Sequence, residues 1–225
     1  MKTQKTAVLI FDSFQNEKGI GTSFIKSKRL YNVLTDDIVK KVEVTGLDYF
    51  HYTEKEQKGN SFGQCFSNAI SDVYSKGYDA VITIGNDIPN LESHHIIEAK
   101  QRLDNNEFVL GPSYDGGFYL MALQKEYFEA SLFEKFSWNS SKVALEIKEY
   151  IEKFTTDIIL LKYLYDIDTL LDLKSVFKTL SVYKKRLRLI IQDLIQIALF
   201  VYTYIETLYI QTYTDCLHNK GSPLI

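Results

Sequence analysis

The chain has 225 residues, 45% of them hydrophobic and 14% aromatic, with only three prolines, so it holds apolar material for one substantial core and excludes disorder as the default. A formal net charge of -3 without a clustered basic face provides no electrostatic footprint for nucleic acid. Cys65 and Cys216 are the only cysteines, lie far apart and form no CxxC pattern, which argues against a disulfide framework or zinc site and fits a reducing compartment.

The opening MKTQKTAVLIF carries a short apolar run that meets Asp12 at once and lacks a small-residue cleavage site. It reads as a buried strand over residues 7–11 and not as a signal peptide, and the expected location is cytoplasmic. A polar loop, DSFQNEKGIGTS, leads into a helix-compatible stretch over 24–44 and an aromatic strand over 49–52, a first β-α-β unit. Phe62, Phe66, Ala69, Ile70, Val73 and Tyr74 recur at helical spacing before Gly77, and residues 80–85 form a second buried strand. A helix over 92–103 and a strand over 108–110 continue the alternation expected of a layered α/β fold. GPSYDGGFYLMAL then returns as a strand over 118–123 with no room for a crossover helix. That strand is therefore expected to run antiparallel or to sit off the main sheet, making the sheet mixed. Ser140 or Ser141 is expected to cap a helix carrying Val143, Ile147 and Ile151, ahead of a strand over 157–161 and a helix begun by DIDTLLDL.

Residues 1–180 thus read as one α/β domain and 181–225 as a C-terminal helical extension. Lys184, Lys185, Arg186 and Arg188 precede apolar residues at i, i+3, i+4 and i+7 spacing from Leu187 to Leu208. Gln192, Asp193, Gln196 and Glu206 interrupt the run, so the sequence predicts no spanning stretch of roughly 20 residues. Packing on the domain or on a second copy in a homo-oligomer is favoured over a peripheral membrane contact.

Three constellations can carry chemistry. Gly85, Asn86, Asp87, Ile88 and Pro89 follow a buried strand, where open α/β sheets bind ligands. Asp87 there either holds Mg²⁺ or Mn²⁺ against a diphosphate, since hard cations take oxygen ligands, or caps the helix after Pro89. Asp115, Gly116 and Gly117 form a turn whose glycines permit close ligand approach, with Asp115 available to sugar hydroxyls or a metal; the alternative is a turn chosen for conformation alone. Asp166 and Asp168 alternate near a strand end, Asp166 the metal-ligand candidate and Asp168 the expected N-cap of the helix from Leu170. Trp138, in FSWNSS, either stacks on an acceptor or packs in a loop. The four histidines are given no role, His94 and His95 being expected to point apart.

Taken in order, QKGNSFGQCFSNAI, ITIGNDIPNL, VLGPSYDGGFYLMAL, FSWNSSKV and DIDTLLDL resemble the bacterial glycosyltransferase-A-like family called domain of unknown function 2064, over roughly residues 6–180. The resemblance implies a nucleotide-diphospho-sugar transferase fold: a Rossmann-like, three-layer α/β/α domain with a mixed, mostly parallel sheet. It places the nucleotide over the first strand and loop, here Phe11, Asp12, Ser13 and Lys26, with Asn86 beside Asp87. By position it makes Asp87 the acidic motif residue, Asp115 a further catalytic candidate, Asp115 to Gly117 with Trp138 the acceptor or sugar side, and Asp166 with Asp168 the late acidic pair, with Asp87 and Asp166 the metal-ligand candidates. The first loop departs from the family's proline- and glycine-containing loop and Lys-Thr-Arg run, although Lys18, Lys26, Lys28 and Arg29 remain as possible diphosphate contacts. The expected activity is glycosyl transfer from a nucleotide-diphospho-sugar with Mg²⁺ or Mn²⁺. The alternatives are nucleotidyl transfer on the same fold, as in phospholactate guanylyltransferases, and a non-catalytic binding protein with a degenerate donor loop.

Overall fold

The computed structural model describes residues 4–12 and 28–218. Six strands form one sheet: β1 (Thr6–Phe11), β2 (Asp48–Tyr52), β3 (Ala80–Gly85), β4 (Phe108–Pro112), β5 (Phe118–Gln124) and β6 (Ile158–Leu160). The helices are α1 (Lys28–Thr45), α2 (Phe62–Ser75), α3 (Ser93–Asp104), the single turn α4 (Ala130–Phe133), α5 (Val143–Ile151), α6 (Leu170–Thr179) and α7 (Lys185–His218).

Strand order is β2-β1-β3-β5-β4-β6. β1 pairs parallel with β2 and β3, and β4 parallel with β6, while β5 lies antiparallel between β3 and β4. The short connection through the DGG turn imposes this reversal, because a parallel return needs a crossover of a dozen or more residues. β1 is buried along its whole length, as a strand covered on both faces must be. Its residues alternate between two cores. Ala7, Leu9 and Phe11 pack with α2 and α5 on one face, while Val8 and Ile10 pack with α1 and α3 on the other. The domain is therefore a Rossmann-like three-layer α/β/α structure with a mixed, mostly parallel sheet.

Local chemistry sets the helix starts, with some departures from expectation. Ser61 caps α2, its hydroxyl accepting the Gln64 N–H. Glu92, and not Asp87, is the N-cap of α3, in a reciprocal box with His95. Thr169, and not Asp168, caps α6, because Asp172 three positions on closes a capping box with it. α5 begins after Lys142, so neither Ser140 nor Ser141 occupies its cap position. The rings of His94 and His95 do not point apart; their centroids lie 3.9 Å from each other.

The start of α7 belongs to a third core. Leu187, Ile190 and Ile191 are buried with Leu30 and Leu34 of α1 and Leu173 and Val176 of α6. Lys184 fastens the same junction: its ammonium donates to Pro89 O at 2.7 Å and to Glu92 at 2.7 Å and lies 3.4 Å from Asp37. Beyond these turns α7 is mostly exposed. Lys185–Leu208 holds 24 residues and its mean hydropathy reaches 1.4, so by length and composition it meets the measure of a membrane-crossing helix. This corrects the expectation drawn from the interrupting polar residues: the branched and aromatic residues between them outweigh those polar side chains.

Candidate functional site

One edge of the sheet collects the ends of β1, β3 and β4, the start of the reversed β5, and the segment after β6. Because β5 runs backwards, its first residues lie beside the last of β3 and β4, with Leu120 opposite both Ile84 and Gly111. A cavity of about 330 Å³ opens here, with Phe11, Phe62, Phe66 and Trp138 on one wall and Asp87, Asp115, Asp166 and Asp168 on the other. Among the described residues lining it there is no Lys or Arg. The electrostatic character of the wall is thus set by four carboxylates.

Each carboxylate arrives from a different local structure. Asp87 stands in the turn after β3, and its carbonyl accepts the Ile167 N–H at 3.2 Å, which ties the turn to the post-β6 segment. That segment also pairs with the end of β4, through Leu164 N to Pro112 O and Tyr114 N to Leu164 O, each at 3.3 Å. Two sequence-distant acidic runs are thereby brought together. Asp115 is fixed within its own turn, accepting the Ser113 hydroxyl and the Gly117 N–H, the latter at 2.8 Å. Gly116 makes the turn possible. It holds φ +93°, and a Cβ there would collide with the Ser141 carbonyl oxygen, while its own carbonyl accepts the Ala144 N–H of α5 at 3.3 Å.

One carboxylate oxygen each from Asp115, Asp166 and Asp168 lie within 4.8 Å of one another. Asp87 lines the same cavity outside this set of three. Burial, then the neighbouring charges of Asp115, Asp87 and Asp168, push the Asp166 carboxyl up to about 8. Clustered oxygens that repel one another suit a hard divalent cation, which prefers oxygen ligands and relieves the repulsion.

The aromatic wall is built around Trp138. Its indole N–H donates to Phe133 O at 2.7 Å, and its ring lies 5.1 Å from both Phe62 and Phe66 and 6.1 Å from Phe118, centroid to centroid. Gly63 admits it: a Cβ on that glycine would stand 2.6 Å from the indole ring. Trp138 therefore packs against α2 and also faces the cavity, so the two readings of this residue are compatible.

The sequence-derived donor residues fare differently. Phe11 lines the cavity and packs edge-on against Phe66 at 5.2 Å. Asp12 pairs with His51, Oδ1 to Nε2 at 2.8 Å, and its N–H donates to Tyr52 O at 3.1 Å, so it joins β1 to β2 beside the site. The Asp12 hydrogen bond raises the His51 imidazole above its usual range. Asn86 is buried, with its amide donating to Thr35 of α1 at 3.1 Å, and is not a cavity-lining residue among those described. Ser13, Lys18 and Lys26 lie outside the described residues.

The residue pattern favoured Asp168 as a helix cap, the family resemblance placed it in a late acidic pair with Asp166, and neither singled out Ser113, Phe62 or Phe66. The alternate spacing of Asp166 and Asp168 was the available signal for Asp168, since extended residues two apart face the same way. A serine two residues before the turn aspartate was the signal for Ser113.

Residues 41–140 match the family described as uncharacterized protein conserved in bacteria, DUF2064. The chain is 31% identical over 155 residues to a 2-phospho-L-lactate guanylyltransferase of Methanosphaera stadtmanae, a match that covers 58% of this chain and 66% of the relative, just under two thirds of its length. The fold is also that of a proposed nucleotide-diphospho-sugar transferase from Desulfovibrio desulfuricans G20, at TM-score 0.72 and 20% identity over 86% of this chain and 97% of that one. Residues 41–140 thus resemble the DUF2064 family, and the chain has a nucleotide-diphospho-sugar transferase fold.

Proposed function

We propose that the cavity binds the diphosphate of a nucleotide-linked sugar together with Mg²⁺ or Mn²⁺, and that the protein is a metal-dependent glycosyltransferase. The observation that carries this reading is the convergence of four carboxylates on one aromatic-walled cavity at the carboxyl edge of the sheet. Asp115, Asp166 and Asp168 would hold the cation, which supplies Lewis-acid neutralisation of phosphate charge. Asp87, on the same wall, adds negative charge that favours the loaded site over the empty one. Ser113 and Gly117 orient Asp115 through its Oδ1. Trp138 and Phe62 offer an apolar face on which the carbon face of an acceptor sugar can lie, and they exclude water from that side. Phe11, at the end of the first strand, would face the nucleotide.

Calorimetric titration tests the reading. Nucleoside diphosphates and their sugars are expected to bind in the presence of Mn²⁺ or Mg²⁺ and to lose at least tenfold in affinity in EDTA, with Asp166→Asn and Asp87→Ala each weakening the metal-dependent part. Equal affinity with and without the cation would reject it.

The guanylyltransferase relative favours a second reading, nucleotidyl transfer, in which a substrate phosphate attacks the α-phosphate of a nucleoside triphosphate. The released product decides between them: pyrophosphate from triphosphates for nucleotidyl transfer, a nucleoside diphosphate from sugar nucleotides for glycosyl transfer.

A further inference from the structure

The loop over residues 137–142 runs from the aromatic wall of the cavity to the acidic one and is held at both ends. On the α5 side Glu146 accepts the Ser137 N–H at 2.7 Å and the Ser137 hydroxyl at 2.6 Å. The Ser140 hydroxyl donates to Ser137 O at 2.6 Å and accepts the Lys142 N–H at 3.3 Å, which closes the turn. On the acidic side Ser141 lies so close to the DGG turn that a Cβ on Gly116 would collide with its carbonyl oxygen.

Between these anchors Asn139 holds φ +58°, one of two non-glycine residues with positive φ among those described. The other, Asn106, directly follows the C-cap of α3, where a left-handed residue is ordinary. Asn139 is not at a helix end; it stands in the cavity wall, exposed, directly after Trp138. The left-handed backbone is costly for most side chains and mild for asparagine, so the pinned loop restricts both the residue type and its place.

Asn139, Ser140 and Ser141 line the cavity and carry no charge. A phosphate or a cation calls for charge on the protein side, whereas sugar hydroxyls call for a donor and an acceptor side by side, which one amide supplies. Next to them the half-buried Trp138 ring offers a flat apolar face. A flat ring beside a neutral amide matches a pyranose, whose carbon face is apolar and whose rim carries hydroxyls.

We propose that Asn139 is a specificity-determining residue, its side-chain amide reading the hydroxyls of the sugar that lies on Trp138, with the Ser141 hydroxyl as a second contact; this assignment rests on the cavity being a sugar-transfer site. A group that pairs with a hydroxyl discriminates against the epimer that directs it elsewhere, because the amide is then left unpaired.

Trp138 is the only tryptophan, so its emission reports on this face directly. The full chain in MnCl₂ with UDP or GDP is titrated with glucose, galactose, mannose and N-acetylglucosamine, and the chain without diphosphate with uridine and guanosine. One sugar is expected to change the emission saturably and to bind about tenfold or more tightly than an epimer. Asn139→Gly suits the left-handed backbone and removes only the side chain. It is expected to bind that sugar about fivefold or more weakly and to bring the epimers within about twofold of each other, with manganese affinity kept as the check on folding. A glycine variant that binds and discriminates like the parent, a parent that does not distinguish epimers, or emission that answers to the nucleosides and to none of the sugars overturns the role of Asn139 and leaves the metal and diphosphate reading standing. A parent chain that binds neither manganese nor the diphosphates refutes that reading itself, and Asn139 falls with it.

Discussion

Replacing Asp166 by Asn should make the protein more stable without a cation and less responsive to one. The reason is linkage. The folded carboxyl titrates near 8 and the unfolded one near 3.8, so between those values the folded state binds more protons and stability falls as pH rises. At pH 7 the gap of about 3 pH units, at about 1.4 kcal/mol each, sets an upper bound of about 4 kcal/mol. Because the Asp166 carboxyl is only partly withdrawn from solvent, which screens the neighbouring charges, the gain expected for Asp166→Asn in EDTA at pH 7 is about 1–2 kcal/mol. It should vanish near pH 4, where Asp166 is protonated in the folded state and about half protonated in the unfolded one. Manganese at about a hundred times its dissociation constant should stabilise the wild-type chain by about 2.7 kcal/mol and the variant by much less, so that the order of stability reverses. Urea unfolding at pH 4 and 7, in EDTA and in MnCl₂, measures all of this. A variant less stable than wild type in EDTA at pH 7 would refute the repulsion argument; an undiminished manganese increment would refute Asp166 as a ligand.

Gly116→Ala should cost about 3 kcal/mol in urea unfolding, about 1–2 from the left-handed backbone and the rest from displacing Ser141 and the Ala144 hydrogen bond; an unchanged midpoint would show that the turn relaxes freely. Gly63→Ala should push the only tryptophan, Trp138, away from α2, giving a red-shifted fluorescence maximum and a loss of about 1–2 kcal/mol; an unshifted spectrum would contradict the close packing. His51→Gln should cost about 1 kcal/mol at pH 5.5 and little at pH 8.5, because a raised folded pKa stabilises below the unfolded value of 6.5 and that stabilisation is lost as pH rises through the folded one; a loss that is larger at pH 8.5 would reverse the sign and exclude the ion pair.

The layered fold was legible because burial on both faces of a strand leaves an unbroken apolar run, as at residues 7–11 and 80–85, and because the DGG turn leaves no length for a crossover before residues 118–123. The grouping of the acidic residues was less so. Asp87 and Asp166 are 79 positions apart in the chain, and what joins them is a backbone hydrogen bond from Ile167 to Asp87 that no local pattern encodes. Cap assignments failed for a related reason. Asp168 and Thr169 are both good N-cap types, and only the reach of Asp172 to the Thr169 N–H decides which one takes the position.

The junction at Lys184 links the site loop to the C-terminal helix more tightly than a domain followed by an appendage would suggest. Two ammonium groups, Lys41 and Lys184, share the Pro89 carbonyl and the Asp37 and Glu92 carboxylates. Burial lowers Lys41 to about 8 even with Asp37 beside it, so this is a desolvated arrangement that water does not readily replace. Pro89 is two residues from Asp87, and Glu92 is the cap of α3. Removing Lys184 would leave Asp37 and Glu92 with less than their full complement of positive charge at the rim of the turn that carries Asp87. The position of α7 relative to the cavity is consequently set by buried side chains and charge-assisted bonds, with no flexible linker between them.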